Sequence, residues 1–239
     1  RIDQLTAAGV DEGVVVDFTT AVSEQPPEEF VREFVHPRAR ANAVVVGDNF
    51  RFGHRALGDV HTLEELGGTY GFSVDDVDLR GDVQTYSSTR AREALLSGDL
   101  ATVTQVLGRP FSYRGVVVHG DHRGRTLGVP TANITITADR AAPGDGVYAG
   151  RVRRPGTHGP PMTAAISVGS NPQYAGTERR IEAHVLDEED LDLYDQVIDV
   201  EFLTRLRGQQ VFDSEAAFIE QMQADVRAAR AIGEAPEVS

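Results

Sequence analysis

The sequence contains no cysteine, which excludes disulfides and thiolate metal sites. It contains no lysine either, and we read its all-arginine basic complement as codon bias. No apolar run approaches the roughly 18 residues needed to span a bilayer, and no charged-then-apolar leader resembles a signal peptide. Positive charge is scarce: 23 basic side chains stand against 37 acidic ones, a net charge of −14. That balance argues against a general nucleic-acid binder, because phosphate backbones call for a basic footprint. These absences point to a cytoplasmic protein with neither membrane nor nucleic-acid partners. They leave homo-oligomerisation open.

What the chain does have is ordinary globular composition, 40% hydrophobic and 25% charged, over 239 residues. That length suits one large domain or two modest ones. Its charge is uneven. Residues 109–154 hold eight arginines against three aspartates, whereas residues 182–201 hold nine acidic side chains and no arginine.

Residues 1–108 read as alternating helix and strand. Ile2, Leu5 and Ala8 give a short helical stripe ending near Gly9. "GVVVDF" (13–18) and "AVVVG" (43–47) read as buried strands. "PPEEFVREFV" (26–35) reads as a helix with Pro at its start and acids in its first turn. A weaker helix near 61–66 and a strand near 72–79 complete a parallel, Rossmann-like βαβ pattern, and this α/β part looks incomplete. "SSTRAREALLSG" (87–98) and "DLATVTQVLG" (99–108) are helices with polar starts and glycine ends. Arg109-Pro110 then breaks the pattern, so the expected domain boundary lies there.

Residues 109–239 change texture. Short β-branched runs between glycine and proline turns predict a small antiparallel barrel. A closing helix starts near Asp213 or Ser214, with Phe218, Met222 and Val226 spaced for packing on that barrel.

The basic segment contains "GDHRGRTLGVPTAN" (120–133). Gly120, Gly124 and Gly128 let backbone N–H groups turn toward an anion, and Arg123 and Arg125 can add charge-assisted hydrogen bonds to phosphate. The Gly-Lys-Ser/Thr ending of a Walker loop is missing. Thr131 and Asn133 alternate with Ala132, so both project from one face of an extended segment. Two neutral oxygens there suit Mg²⁺ that takes its other ligands from nucleotide phosphates and water. A plain hairpin loop explains the same residue types. On "ERRIEAHVLD" (178–187), Glu182 and His184 face away from Ile181, Ala183 and Val185. A carboxylate so placed can serve as a general base; a solvent-facing strand is the bland alternative, and the better one for His184. In "VVVGDNFRFG" (44–53), Asn49 can hydrogen-bond a planar ring and Phe50 and Phe52 can stack on it, beside Gly53, or the rings can be core. Ser87, Ser88, Thr89 and Arg92, with Arg90, offer either a phosphate site at a helix N-terminus or a routine cap.

Taken in order, these motifs resemble the bacterial bifunctional riboflavin kinase/FMN adenylyltransferase family, the prokaryotic FAD synthetases. The resemblance runs through nearly the whole chain: "SSTRARE", "LGRPF", "GVVVHGDHRGRTLGVPTAN", "DGVYAG", "AISVGSNPQY", "RRIEAHVLD" and "FLTRLRGQQVFDS" all take part. It implies an adenylyltransferase-like domain over 1–108 and a six-stranded kinase barrel over 109–239. The barrel would phosphorylate riboflavin to FMN with Mg²⁺–ATP. Thr131 and Asn133 would bind the metal, residues Gly120 to Gly128 would close over the phosphates, and Glu182 would be the catalytic base. Asn49, Phe50, Phe52 and Gly53 with Ser87, Ser88, Thr89 and Arg92 would be the FMN- and ATP-binding remnant of the other half. The family's Gly-x-Phe-Asp-Gly-Val-His-x-Gly-His segment is absent from this sequence, so FAD synthesis is not expected of it. A flavin- or nucleotide-binding module without turnover and a nucleotidyltransferase acting on another substrate are the rival expectations. Where the family usually reads Asp-Leu-Tyr-Gly, this chain has Asp195 in the glycine position.

Overall fold

Backbone polar groups dictate which apolar runs become strands, because each N–H and C=O needs a partner. The computed structural model describes residues 2–78, 86–119, 131–157, 159–170, 179–188 and 192–233. By packing, the chain separates into residues 1–85 and 86–239.

In the first unit, α1 (Ile2–Ala7) ends before Gly9, whose φ of +88° stops it. After α2 (Thr20–Ser23), α3 (Pro27–Phe30) starts on proline and continues as a π-helical turn over Val31–Val35. Strand β1 (Ala43–Gly47), helix α4 (Val60–Tyr70) and strand β2 (Ser73–Val77) form the expected parallel βαβ unit, with Ala43 opposite Ser73 and Gly47 opposite Val77. Val31, Phe52, Leu63 and Phe72 make its core.

Two expectations fail in this unit. Residues 13–18 form no strand, and Val15 is 73% exposed. Their β-branched run has the right texture, but among the described residues no strand pairs with it. Strand β1 forms as expected, yet Val45 is 65% exposed, so only one face of this two-stranded sheet is covered.

The second unit opens with α5 (Ser88–Ser97) and α6 (Leu100–Leu107). Ser87 caps α5 by accepting the Arg90 N–H at 3.1 Å, and Asp99 caps α6 through the Thr102 N–H at 3.1 Å. Ala94, Leu95, Leu100 and Val103 share one core with the barrel that follows. Packing therefore groups both helices with the barrel, ahead of the Arg109-Pro110 break.

The barrel uses β3 (Phe111–Val116), β4 (Ala132–Thr135), β5 (Gly146–Arg153), β6 (Met162–Gly169), β7 (Arg180–Val185) and β8 (Val197–Arg207). They pair antiparallel in the order β3-β8-β5-β6-β7-β4. Alternation puts Tyr113, Tyr148, Ile166, Ile181, Ile198 and Phe202 inside, with Tyr148 edge-on to Phe202. A register shift at Ala149/Gly150 bends β5, and a Cβ on Gly150 would lie 2.1 Å from the Glu201 carbonyl oxygen. Only glycine fits that approach. The barrel nearly closes where the Val118 N–H donates to the Asn133 carbonyl at 2.8 Å.

Helix α7 (Glu215–Gly233) docks on the outside of the barrel. Ala229, Val226 and Ile232 pack with Ala149 and Leu186, and Arg207 grips the buried Asp225 carboxylate at 2.7 Å. Phe218 departs from the expected stripe: it is 37% exposed and packs edge-on against Phe212. The apolar spacing of four was right for Val226, but the first turn of α7 meets a loop aromatic instead of the sheet.

Candidate active site on the barrel wall

The outward face of β7 carries the candidate chemistry. Ile181, Ala183 and Val185 are buried, while Arg180, Glu182 and His184 are half-buried on the opposite face. Across the β4–β7 ladder Asn133 is the direct partner of Glu182, and across the β6–β7 ladder Ser167 is. Directly opposed residues share a face. Asn133, Glu182 and Ser167 thus form one polar row over three adjacent strands, about 10 Å long at the usual strand spacing.

Thr131 joins the Asn133 end of that row. The Asn133 side-chain amide donates to the Thr131 carbonyl at 3.2 Å and lies 3.5 Å from the Thr131 hydroxyl. A carbonyl only accepts, so Nδ2 is the amide atom facing Thr131 and Oδ1 points elsewhere. Asn133 is 7% exposed, one of two buried polar residues among those described. No cluster of three His, Cys, Asp or Glu that could hold a metal occurs among the described residues. The oxygens of Thr131 and Asn133 are hard and neutral. They fit Mg²⁺ that arrives already charge-compensated by phosphate, and they would not hold the ion alone.

The expected phosphate loop starts and ends here. Gly120, Arg123, Gly124, Arg125 and Gly128 lie outside the described residues, but both flanks of the run are seen. Val118 pairs with Asn133, and Thr131 sits two residues before it. His119 stacks on Tyr194 with ring centroids 4.2 Å apart. The following residue, Asp195, adopts φ +60° and donates its N–H to the Val117 carbonyl at 2.9 Å. Aspartate has taken the left-handed turn for which glycine is the easier residue, so the turn survives the replacement.

The other sequence-derived candidates fall in two places. In the first unit Asn49 is exposed, Phe52 is core, and Phe50 stacks on Phe52 at 5.5 Å. Gly53 has φ +72°, and a Cβ there would meet Pro27 at 2.8 Å. In the second unit Ser87 is the α5 cap, and Ser88, Thr89 and Arg92 are exposed. His184 borders a shallow depression with Met222, Gln223, Val226 and Arg227 of α7. Ser167 was not singled out from sequence. Alternation marks it as outward-facing, but only the ladder register reveals that it adjoins Glu182.

The second unit is thus an antiparallel barrel with a helix docked on its outside and a carboxylate, an amide and a hydroxyl side by side on its wall, and a βαβ unit precedes it in the chain. The riboflavin kinase family model matches residues 107–233 and the FAD synthetase model residues 1–90. The chain is 35% identical over 216 residues to the bifunctional riboflavin kinase/FMN adenylyltransferase of Escherichia coli K12, covering 90% of this chain and 67% of that protein. It is 32% identical to the protein of the same name from Haemophilus influenzae, covering 97% and 74%. A solved structure described as a macrolide-efflux protein from Streptococcus pneumoniae superposes with a TM-score of 0.83 at 31% identity, over 96% of this chain and 73% of that one. Among the described residues, no helix here is long and apolar enough to cross a membrane. The chain belongs to the bifunctional riboflavin kinase/FMN adenylyltransferase family.

Proposed function

We propose that the barrel is a riboflavin kinase whose catalytic base is Glu182, with Thr131 and Asn133 as the Mg²⁺–ATP ligands. The observation that carries this reading is the direct pairing of Asn133 with Glu182 on one face of the wall. The reaction moves the γ-phosphoryl group of ATP to the 5′-hydroxyl of riboflavin. A bond forms from the ribityl oxygen to the γ-phosphorus, the bond to the β-phosphate oxygen breaks, and ADP leaves. The hydroxyl proton goes to the Glu182 carboxylate as the new bond forms. Bound Mg²⁺ would supply charge neutralisation on the phosphate oxygens, where phosphoryl transfer needs it. The protein's own task is positional: Asn133 and Thr131 fix the phosphate end of the substrates one strand from the base. Arg123 and Arg125 belong to the same scheme as phosphate-binding groups. We assign kinase chemistry to residues 109–239 and the adenylyltransferase-like part to residues 1–108, of which α5 and α6 pack with the barrel, with substrates that are small molecules.

The test is a product assay of this polypeptide with riboflavin, FMN, ATP and Mg²⁺, reading FMN and FAD separately. FMN should accumulate from riboflavin. Tight riboflavin binding with no FMN formed would replace the kinase by a flavin-binding module. Robust FAD formation from FMN would show that the adenylyltransferase-like part, with Asn49, Phe50, Phe52, Gly53, Ser87, Ser88, Thr89 and Arg92, is active in this chain.

A further inference from the structure

The polar row does not end at Glu182. On its far side Ser167 occupies the position that Asn133 occupies on the near side. Gln209, just beyond β8, reaches over β6, and its amide nitrogen donates to the Ser167 hydroxyl at 3.2 Å and to the Val168 carbonyl at 3.0 Å. The Val168 carbonyl can only accept, which fixes the nitrogen of Gln209 on this side. Both amide hydrogens are then used, and one lone pair of Ser167 Oγ is filled. What Ser167 has left is a second lone pair and its own O–H, and the O–H makes no other hydrogen bond among the described residues. Gly169 keeps this arrangement open: a Cβ there would come within 3.0 Å of the Gln209 amide nitrogen.

We infer that Ser167 is a substrate-binding residue whose hydroxyl, oriented by Gln209, donates a hydrogen bond to a ribityl hydroxyl next to the one that Glu182 deprotonates. This rests on the kinase reading of the same site. Phosphate-end ligands stand on one side of the base, so the rest of the acceptor must extend to the other. An acceptor that is a chain of hydroxyls needs donors there. A neutral alcohol is far too weakly basic to take the proton in place of a carboxylate, so Ser167 discriminates without competing for it. It favours a polyol over an acceptor that lacks the neighbouring hydroxyl.

The experiment compares the parent with Ser167→Ala and Gln209→Leu, using riboflavin and a riboflavin analogue lacking the ribityl 4′-hydroxyl. Riboflavin binding is read by flavin fluorescence, and turnover by FMN formation. For Ser167→Ala, Kd and KM for riboflavin should rise about 3- to 10-fold, the worth of one neutral hydrogen bond. KM for ATP should stay within twofold, and the penalty should vanish with the deoxy analogue. Gln209→Leu should show a weaker version of the same pattern. Unchanged riboflavin affinity in Ser167→Ala, or an equal loss with both flavins, overturns the assignment. Neither result touches the kinase reading, which fails only if the parent makes no FMN. Fluorescence titration reports on Ser167 even then.

Discussion

Asn133 and Glu182 face each other across the β4–β7 ladder, an amide and a carboxylate on adjoining strands of one wall. Forty-nine residues apart in the chain (182 − 133), they are brought together by register alone. A base placed directly beside a phosphate-end ligand lets proton removal and phosphoryl arrival occur at one oxygen.

Glu182→Gln keeps shape and most hydrogen-bonding capacity but cannot accept the proton. FMN formation should fall roughly 10²- to 10⁴-fold, with riboflavin binding retained. His184→Ala, on the same face two positions along, should cost far less. Equal losses in both variants, measured as kcat on folded protein, would make the strand face structural and place the base elsewhere.

Thr131→Ala and Asn133→Ala should act on the nucleotide side. We expect kcat/KM for ATP to fall roughly 10- to 100-fold, with riboflavin affinity little changed, and raised Mg²⁺ to recover part of the loss. Kinetics within twofold of the parent for ATP would return both residues to an ordinary turn.

Asp195 holds a left-handed turn that any Cβ strains. Asp195→Gly should raise stability by up to about 1 kcal/mol, or roughly 2–4 °C in Tm for a chain of this size. Asp195→Ala should lower it, because alanine lacks the local hydrogen bonding that lets aspartate visit this region. Thermal melts in the order Gly, Asp, Ala are the expected outcome; Ala matching Gly would remove the strain argument.

Asp99 gives a pH-dependent signature. Its carboxylate accepts hydrogen bonds from Thr102 at the start of α6, mainly from the side chain and then from the backbone, and this holds its pKa below the usual carboxylate value. A group depressed in the folded state contributes stability above its unfolded pKa of about 3.9, and loses it as pH falls through the folded value. Asp99→Asn keeps a capping oxygen without the charge, so its melting temperature should fall less than the parent's between pH 5 and pH 3. Asp99→Ala should cost about 1 kcal/mol at pH 7. Because the carboxylate is exposed, the acid effect is small, and differential melts against the Asn variant are needed to see it.

Local signals were legible where the deciding interaction was local. The short runs after Arg109 do form an antiparallel barrel, and the Ser87, Asp99, Gly98 and Gly108 caps all sit where the sequence puts them. The outward face of Glu182 followed from alternation on β7, and the nearness of the Thr131 and Asn133 side chains from their spacing about Ala132. The failures were non-local. Val14 and Val15 look like strand residues, but a strand exists only with a neighbour, which no periodicity can announce. Phe218 continued a helical stripe whose opposite number proved to be Phe212 and not the sheet. Ser167 is the instructive omission. Nothing local marks one outward serine in a barrel strand, and its meaning appears only once β6 and β7 are aligned.

The row of Asn133, Glu182 and Ser167 makes the barrel wall sensitive to parity. Side chains alternate with a period of two, so inserting one residue in β7 ahead of Glu182 would turn the carboxylate inward and bring Ile181 or Ala183 to the surface. Inserting two would restore the face while shifting the partners by one step. Activity across an insertion series should therefore alternate, poor at odd lengths and partly recovered at even ones. Loops outside the phosphate run can grow or shrink with little consequence, whereas the wall counts residues modulo two.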